Sequence, residues 1–462
     1  MRFRRSQRSL RDYFLADRNI PWWAIALSIV AAETSTLTII SIPGLAFDTD
    51  LRFLQVVFGY LLARIIISLI FIPQYFRGEM YTAYQLIERR FGRSLYSLTA
   101  GLFLVTRAAA EGVRVFAVSI VVAIAIGTGE VASIAIITLL TMIYTFEGGM
   151  AAVIWTDVVQ MAIYLGGTLV GFFTILQAVP GGWATVHAMA AAADKLRVLD
   201  FSPVLHRTYT FWAGIIGGTF LTTASHGTDQ LMVQRLLAAR SERQSKAALL
   251  ASGAAILFQF TLFLIVGVML FAFYNTQGGG RPAGSSDRIF PTFIVQHMSH
   301  GISGLLIAAI LAAAMSNLSA ALNSLSSTSI IDFYLRRNPE VSETRRVAVS
   351  RLSTVLWALV LFGLALLSRR GGRVVELGLS IASVAYGALL GVFLLGVLTR
   401  RAHQCGAIIG MACGLAAEIY VWSATRVPWT WYVLIGTVVT FLVGYAASIV
   451  SAEAMESRSA RA

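Results

Sequence analysis

The stretch "AAETSTLTIISIPG", residues 31–44, lies inside the first long apolar run of the chain. It sets Glu33 beside the hydroxyl residues Thr34, Ser35, Thr36 and Thr38, and it ends on the pair Pro43-Gly44. In lipid, backbone polar groups must find partners inside the protein, so an unbroken helix is the default for such a run. Here the hydroxyls compete for backbone groups, and Pro43 removes a donor and hampers continuation of the helix. The stretch therefore predicts a helix interrupted at membrane depth, where unpaired carbonyls can replace the hydration shell of a cation.

The rest of the chain supports a lipid setting. Of 462 residues, 57% are hydrophobic and only 13% charged, and the mean hydropathy is +0.74. A soluble chain needs roughly a quarter of its residues charged. Apolar runs of about 20 residues recur from end to end, the length that crosses a hydrocarbon core. The net charge of +13 comes from short basic runs between apolar segments, which excludes a continuous nucleic-acid surface. Cys405 and Cys413 offer neither a disulfide framework nor a metal pattern. No His, Cys and carboxylate cluster has metal spacing, and no Gly-rich phosphate loop follows a strand, so the chain reads as no enzyme and no ATP-driven pump.

Apolar windows predict about twelve membrane helices. Their spans are 22–46, 52–76, 94–126, 130–146, 150–178, 210–235, 247–274, 290–333, 348–368, 374–398, 404–423 and 429–451. The basic arm 1–21, carrying Arg2, Arg4, Arg5, Arg8 and Arg11, enters a first run too long for a signal sequence and without an A-x-A exit. If every span crosses once, the basic loops fall on one side, which predicts a multi-pass protein of the cell (inner) membrane with a cytoplasmic N-terminus. The bilayer is its evident partner, and no obligate protein partner is indicated. Arg369, Arg370 and Arg373 fall on the wrong side and are the exception.

Three further segments carry polar chemistry into the membrane. "GGTFLTTASHGTD", residues 217–229, repeats the Gly and Thr loading of the first span in the sixth, as expected where two halves of a transporter each contain an interrupted helix. In "AAAMSNLSAALNSLSS", residues 312–327, Ala313, Ser316, Asn317, Ser319, Ala320, Asn323 and Ser327 recur at spacings near three and four and share one helix face. A Ser/Asn zipper that only glues helices gives the same stripe. "GGMAAVIWTDVVQ", residues 148–160, places Asp157 in the fifth span, where a carboxylate costs roughly 2.5 to 3.5 kcal/mol and should face a cavity, a cation or a neighbouring Arg or Ser.

Together with "DYFLADRNIPWWAIALS" (12–28), "GTDQLMVQR" (227–235) and "YGALLGVFLLGVLTRRA" (386–402), these segments resemble the sodium:solute symporter family over about residues 11–425. The resemblance implies an all-α membrane protein of the leucine-transporter fold. It would have two inverted five-helix repeats, 22–178 and 210–398, with discontinuous first and sixth helices. An outer loop, 179–209, would join them, and 399–462 would add two C-terminal helices and a tail. It implies a sodium ion as co-substrate, held by backbone carbonyls of Ala31, Thr34 and Ala313 with the side chains of Ser316 and Asn317. An asparagine stands at 317 where many relatives have a hydroxyl, and relatives usually carry a further helix before the "DYFLADR" segment, so the chain is expected to be either a shorter variant or one whose start is incomplete. A second ion position or exit path would use Asp157 and Ser319, with Ala320 in place of a further hydroxyl.

Solute contacts implied by the resemblance are Thr38, Gln55, Arg64, Arg114 and Tyr386, and Leu379 stands where sugar-carrying relatives place glutamine. Glu33, one residue before a liganding carbonyl, is expected to pair with Arg114 or Arg107, a region that also offers Glu111. His226 reads as a packing residue or a pH sensor, and Asp229 and Arg235 as fastenings of the sixth helix. The function expected is sodium-coupled symport of a small solute by alternating access. The alternatives are a proton-coupled carrier on the same scaffold and a solute sensor that does not transport.

Overall fold

The computed structural model describes residues 19–77, 84–144, 150–277, 280–338, 340–370 and 372–459. The arginines of the N-terminal arm lie outside these residues. Apart from an isolated bridge between Ile20 and Ala239, the ordered elements are helical. They are α1 (Trp22–Glu33), α2 (Thr36–Asp48), α3 (Leu54–Phe76), α4 (Tyr84–Phe91), α5 (Arg93–Ile126), α6 (Glu130–Tyr144), α7 (Met150–Ala178) and α8 (Gly182–Ala192). A π turn, Ala213–Gly217, leads into α9 (Gly218–Gly227), then α10 (Gln230–Leu237), α11 (Glu242–Thr276), α12 (Ile289–His297) and α13 (His300–Thr328). The chain ends in α14 (Glu343–Ser368), α15 (Val374–Leu398), α16 (Gln404–Ala424) and α17 (Tyr432–Ser459).

Among the described residues nine helices are long and apolar enough to cross a membrane, and α1 with α2 forms a tenth crossing bent by 64°. The shorter apolar α6 and the interrupted pair α9 and α10 fall in the two remaining windows of the twelve expected. The eighth window needs correction. What reads as one apolar run over 290–333 is two helices, because Met298 and Ser299 are extended between α12 and α13. Periodicity alone does not show this, since both flanks are apolar.

The break in the first span falls at Thr34 and Ser35. The Ser35 N–H turns back to the Glu33 carbonyl at 3.0 Å, and extended Ser35 (φ −74, ψ 170) opens α2. Pro43 does not cause the break: it sits inside α2. The Pro43-Gly44 pair instead permits close backbone approach. A Cβ at Gly44 would lie 2.3 Å from the Ser286 carbonyl oxygen, and one at Gly267 of α11 would lie 2.2 Å from that of Pro43. Every residue from Thr36 to Phe47 is buried, so α2 is a central helix wrapped by the others.

The sixth span breaks in the same manner. After α9 the chain passes through Thr228 and Asp229, and the Asp229 carboxylate caps α10 by accepting from the Leu231 N–H at 2.8 Å. The two broken spans and the polar face of α13 surround one central space.

Candidate functional site

A cavity of about 760 Å³ occupies the middle of the bundle. Glu33, Ser35 and Thr38 border it at the first break, and Ser225, His226 and Asp229 at the second. Most of the polar stripe of α13 faces it: Ser316, Asn317, Ser319, Ala320, Asn323 and Ser327 line the wall, whereas Ala313 borders neither this cavity nor the recess beside it. Arg107 and Arg114 of α5 and Tyr386 of α15 also line the cavity.

The break supplies free acceptors. Thr34 donates its N–H to Val30 and Ser35 to Glu33, so the carbonyls of Ala31 and Thr34 receive no backbone hydrogen bond among the described residues. The Thr34 hydroxyl accepts from Gln259 Nε2 of α11 at 2.5 Å, which steadies the break. A recess of about 10 Å³, room for one water or a small ion, lies between Ser35 and Thr36 of the break and Ala314 and Asn317 of α13. Arg114 and Glu111 close its far side.

Several charged residues take partners other than those expected. Glu33 does not pair with Arg107 or Arg114. Its Oε2 accepts from Arg64 of α3 at 2.5 Å and lies 3.3 Å from His226 Nε2. Arg64 is itself held by the Ser252 hydroxyl and the Tyr60 carbonyl, so it is a buried anchor outside the lining of the cavity. Arg107 and Arg114 converge on Glu111 of their own helix, the former at 2.7 Å. Two guanidiniums thus share one carboxylate, and Arg114, the more exposed of the two, borders the cavity.

Gln55 also departs from expectation. Its amide donates to the carbonyls of Arg52 and Tyr209 and accepts from the Asp200 N–H, so it pins a connecting segment and does not reach the cavity. Thr38 and Tyr386 do border the cavity; Thr38 donates to the Glu33 carbonyl at 3.4 Å and Tyr386 to Asp229 at 3.2 Å. Asp157 is occupied by protein groups: Ser28 donates to it at 2.6 Å and Arg235 at 3.0 Å. Ser319 lines the cavity, while Asp157 stays behind its wall.

The cavity is closed at one end by ion pairs. Asp48 at the end of α2 meets Arg281 at 3.0 Å and Arg373 at 3.2 Å. Tyr209 donates to Glu376 at 2.6 Å, Arg52 meets Asp200 at 3.0 Å, and Lys195 donates to the Phe47 carbonyl at 2.7 Å. Hydrogen bonds from Ser202, outweighing burial and joined by Arg52 and Arg197, hold the Asp200 carboxyl at about 2. Glu130 binds Arg288 and Arg369. Arg369 and Arg373, anomalous as loop charges, are thereby explained as members of this seal. At the other end the lining continues through Thr156, Ser324, Ser327, Gln230, Gln234 and Arg235 toward the face where α1 begins.

Sequence reasoning missed Gln259 and the seal, and it gave Arg64 a solute contact where the structure makes it the partner of Glu33. A charged residue within an apolar span is itself a signal, and Arg64 carried it.

Comparison with known proteins agrees with this geometry. The model of the sodium:solute symporter family matches residues 13–414. The human sodium/iodide cotransporter is 29% identical over 90% of this chain, which spans 66% of that protein's length. The sodium/sialic acid symporter of Aliivibrio fischeri is 29% identical, with 96% of this chain and 88% of that protein covered. A solved structure of a sodium-coupled sialic acid symporter in a substrate-bound outward-open state superposes with a TM-score of 0.83 at 26% identity, covering 97% of this chain and 94% of that one. The fold is shared with a nucleobase-cation symporter of 12% identity and TM-score 0.58, covering 95% and 94% of the two chains.

Proposed function

Since the chain belongs to the sodium:solute symporter family, it is a sodium-coupled carrier that works by alternating access, and we propose that its solute is an organic anion. We place sodium between the α1–α2 break and α13. The carbonyls of Ala31, Thr34 and Ala313 and the side chains of Ser316 and Asn317 are the ligands carried over from the family. The observation that carries the placement is the pair of unpartnered carbonyls at Ala31 and Thr34, with the recess between the break and Asn317. The asparagine amide oxygen is a hard ligand of the kind oxygen-seeking cations accept.

The anion reading rests on one guanidinium and on the relatives. Arg107, Glu111 and Arg114 together leave one positive charge, in the half-buried Arg114, and the Asp229 carboxylate, which accepts from Tyr386, borders the same cavity, so the attraction is local to Arg114. A carboxylate can meet that guanidinium through two parallel hydrogen bonds. Relatives named for iodide, sialic acid and monocarboxylates support the same reading. Thr38 and Tyr386 are placed to contact the remainder of the solute.

The arginine-rich loops favour a cytoplasmic N-terminus, and we take residues 22–178 and 210–398 as the two inverted repeats. With that orientation the cavity opens inward and the seal closes the outside. Asp157 is satisfied by Arg235 and Ser28, and Ala320 lacks a hydroxyl, which favours one sodium per cycle. One sodium moving with one monovalent anion carries no net charge. A tenfold sodium gradient, about 1.4 kcal/mol, then drives about tenfold accumulation.

Uptake into proteoliposomes tests the reading, with sodium outside or choline in its place and a panel of monocarboxylates, sugar acids, neutral sugars and amino acids. Sodium-dependent uptake of an anionic solute with a Hill coefficient near one for sodium is expected. Uptake confined to neutral solutes would remove the anion assignment, and equal uptake in choline would remove the sodium site.

A further inference from the structure

Glu418 lies on α16, away from the cavity, and transport as described makes no use of it. On its helix Gly406, Gly410 and Gly414 recur every fourth residue, a ladder that lets α17 pack backbone against backbone. A Cβ at Gly410 would come 2.4 Å from the Thr440 carbonyl oxygen, and one at Gly414 would come 2.9 Å from that of Gly436. Glu418 occupies the next position of the same ladder, so its carboxyl points into this tight contact.

Neighbouring glycines receive it. A Cβ at Gly387 of α15, or at Gly436 of α17, would fall 2.1 Å from Glu418 Oε1. The residue is 0% exposed. Neither carboxyl oxygen has a hydrogen-bond partner among the described residues.

Among the described residues no counter-charge is recorded on it either. On α15, Glu376 is bound to Tyr209 and Tyr386 to Asp229. On α16, Cys405, Cys413 and Tyr420 are exposed, and His403 is engaged by Ser448 and Ser451. On α17, Tyr445 stacks on Phe441, and Tyr432 lies at the start of the helix. His226 of α9 pairs with Glu33.

An ionised carboxylate at this place would lose its hydration without compensation, whereas a neutral carboxylic acid needs only one acceptor for its O–H. A metal cation needs several oxygens and room for itself, and a contact that excludes even a methyl group has no such room. We propose that Glu418 is a proton-binding site whose bound proton, shared with a main-chain carbonyl of α15 or α17, keeps the C-terminal helix pair docked on α15. Gly387 directly follows Tyr386, so this contact backs the cavity wall.

Thermal unfolding of the purified protein against pH tests the proposal, with Glu418→Gln as comparison, because the amide keeps the shape and supplies an N–H donor. The folded protein retains a proton that the unfolded chain releases above about pH 4.3. Stability from this group is therefore complete at acid pH and falls as pH rises. Relative to the variant, the wild-type unfolding constant should rise about tenfold per pH unit through the neutral range. Identical pH slopes for the two proteins would overturn the proposal. If Glu418→Gln does not accumulate, infrared spectra of wild-type protein with isotope-labelled glutamate decide. A protonated-carboxyl band that persists above neutral pH supports the site, and its absence refutes it.

Discussion

Glu33 and Arg64 meet at 2.5 Å and fasten the end of α1 to α3 beside the first helix break. Arg64 is 1% exposed, so its charge depends on that partner. Removing one member of a buried pair leaves an uncompensated charge, at a cost of about 3 to 5 kcal/mol. Glu33→Gln should therefore lower thermal stability more than the double variant Glu33→Gln with Arg64→Met. A double variant less stable than Glu33→Gln would show that Arg64 is held mainly by Ser252 and the Tyr60 carbonyl.

Ser316 faces the cavity, whereas Ser326 on the same helix is buried and donates to the Ser350 carbonyl at 3.0 Å. Loss of one charge-assisted contact to a cation costs about 1.5 kcal/mol or more, roughly tenfold in affinity. Ser316→Ala should raise the sodium concentration for half-maximal uptake by about that factor, and Ser326→Ala should change it little. Indistinguishable sodium curves would move the ion elsewhere.

The seal at Asp48 joins α2 to Arg281 and Arg373, both partly exposed. Such pairs contribute up to about 1 kcal/mol each, enough to shift a two-state equilibrium severalfold. Asp48→Asn should favour opening on the sealed side. The readout is the rate at which an impermeant thiol reagent added on that side modifies Leu37→Cys, in a protein carrying Cys405→Ser and Cys413→Ser. Faster labelling is expected, and an unchanged rate would mean that Tyr209, Glu376 and Lys195 suffice to close it.

Asp200 is held at about 2, below the ordinary carboxylate range, by Ser202 and the neighbouring arginines. A depressed carboxyl contributes stability that is present above its unfolded value of about 3.9 and is lost as pH falls toward its folded one. The connection between α8 and the π turn before α9 should become sensitive to an acid-active protease between about pH 4 and pH 2. Asp200→Asn should show that sensitivity at neutral pH. Resistance of the variant at neutral pH would assign the order of this segment to Gln55 and Lys195.

The course of the chain through the membrane was legible in the sequence, because lipid imposes length and hydropathy locally. The break in the first span was legible too, since hydroxyl crowding acts on adjacent backbone, although Pro43 proved to serve packing. Within a single helix, spacing rules also reached charge: Glu111 stands at i+4 and i−3 from its two arginines and binds both. Tertiary structure alone decided the pairs between helices: Glu33 with Arg64 and His226, Asp157 with Arg235, Gln55 with the segment ahead of α9. Which charges meet across a low-dielectric bundle depends on which helix faces are brought together, and that is set by packing over the whole chain, where no local spacing can record it.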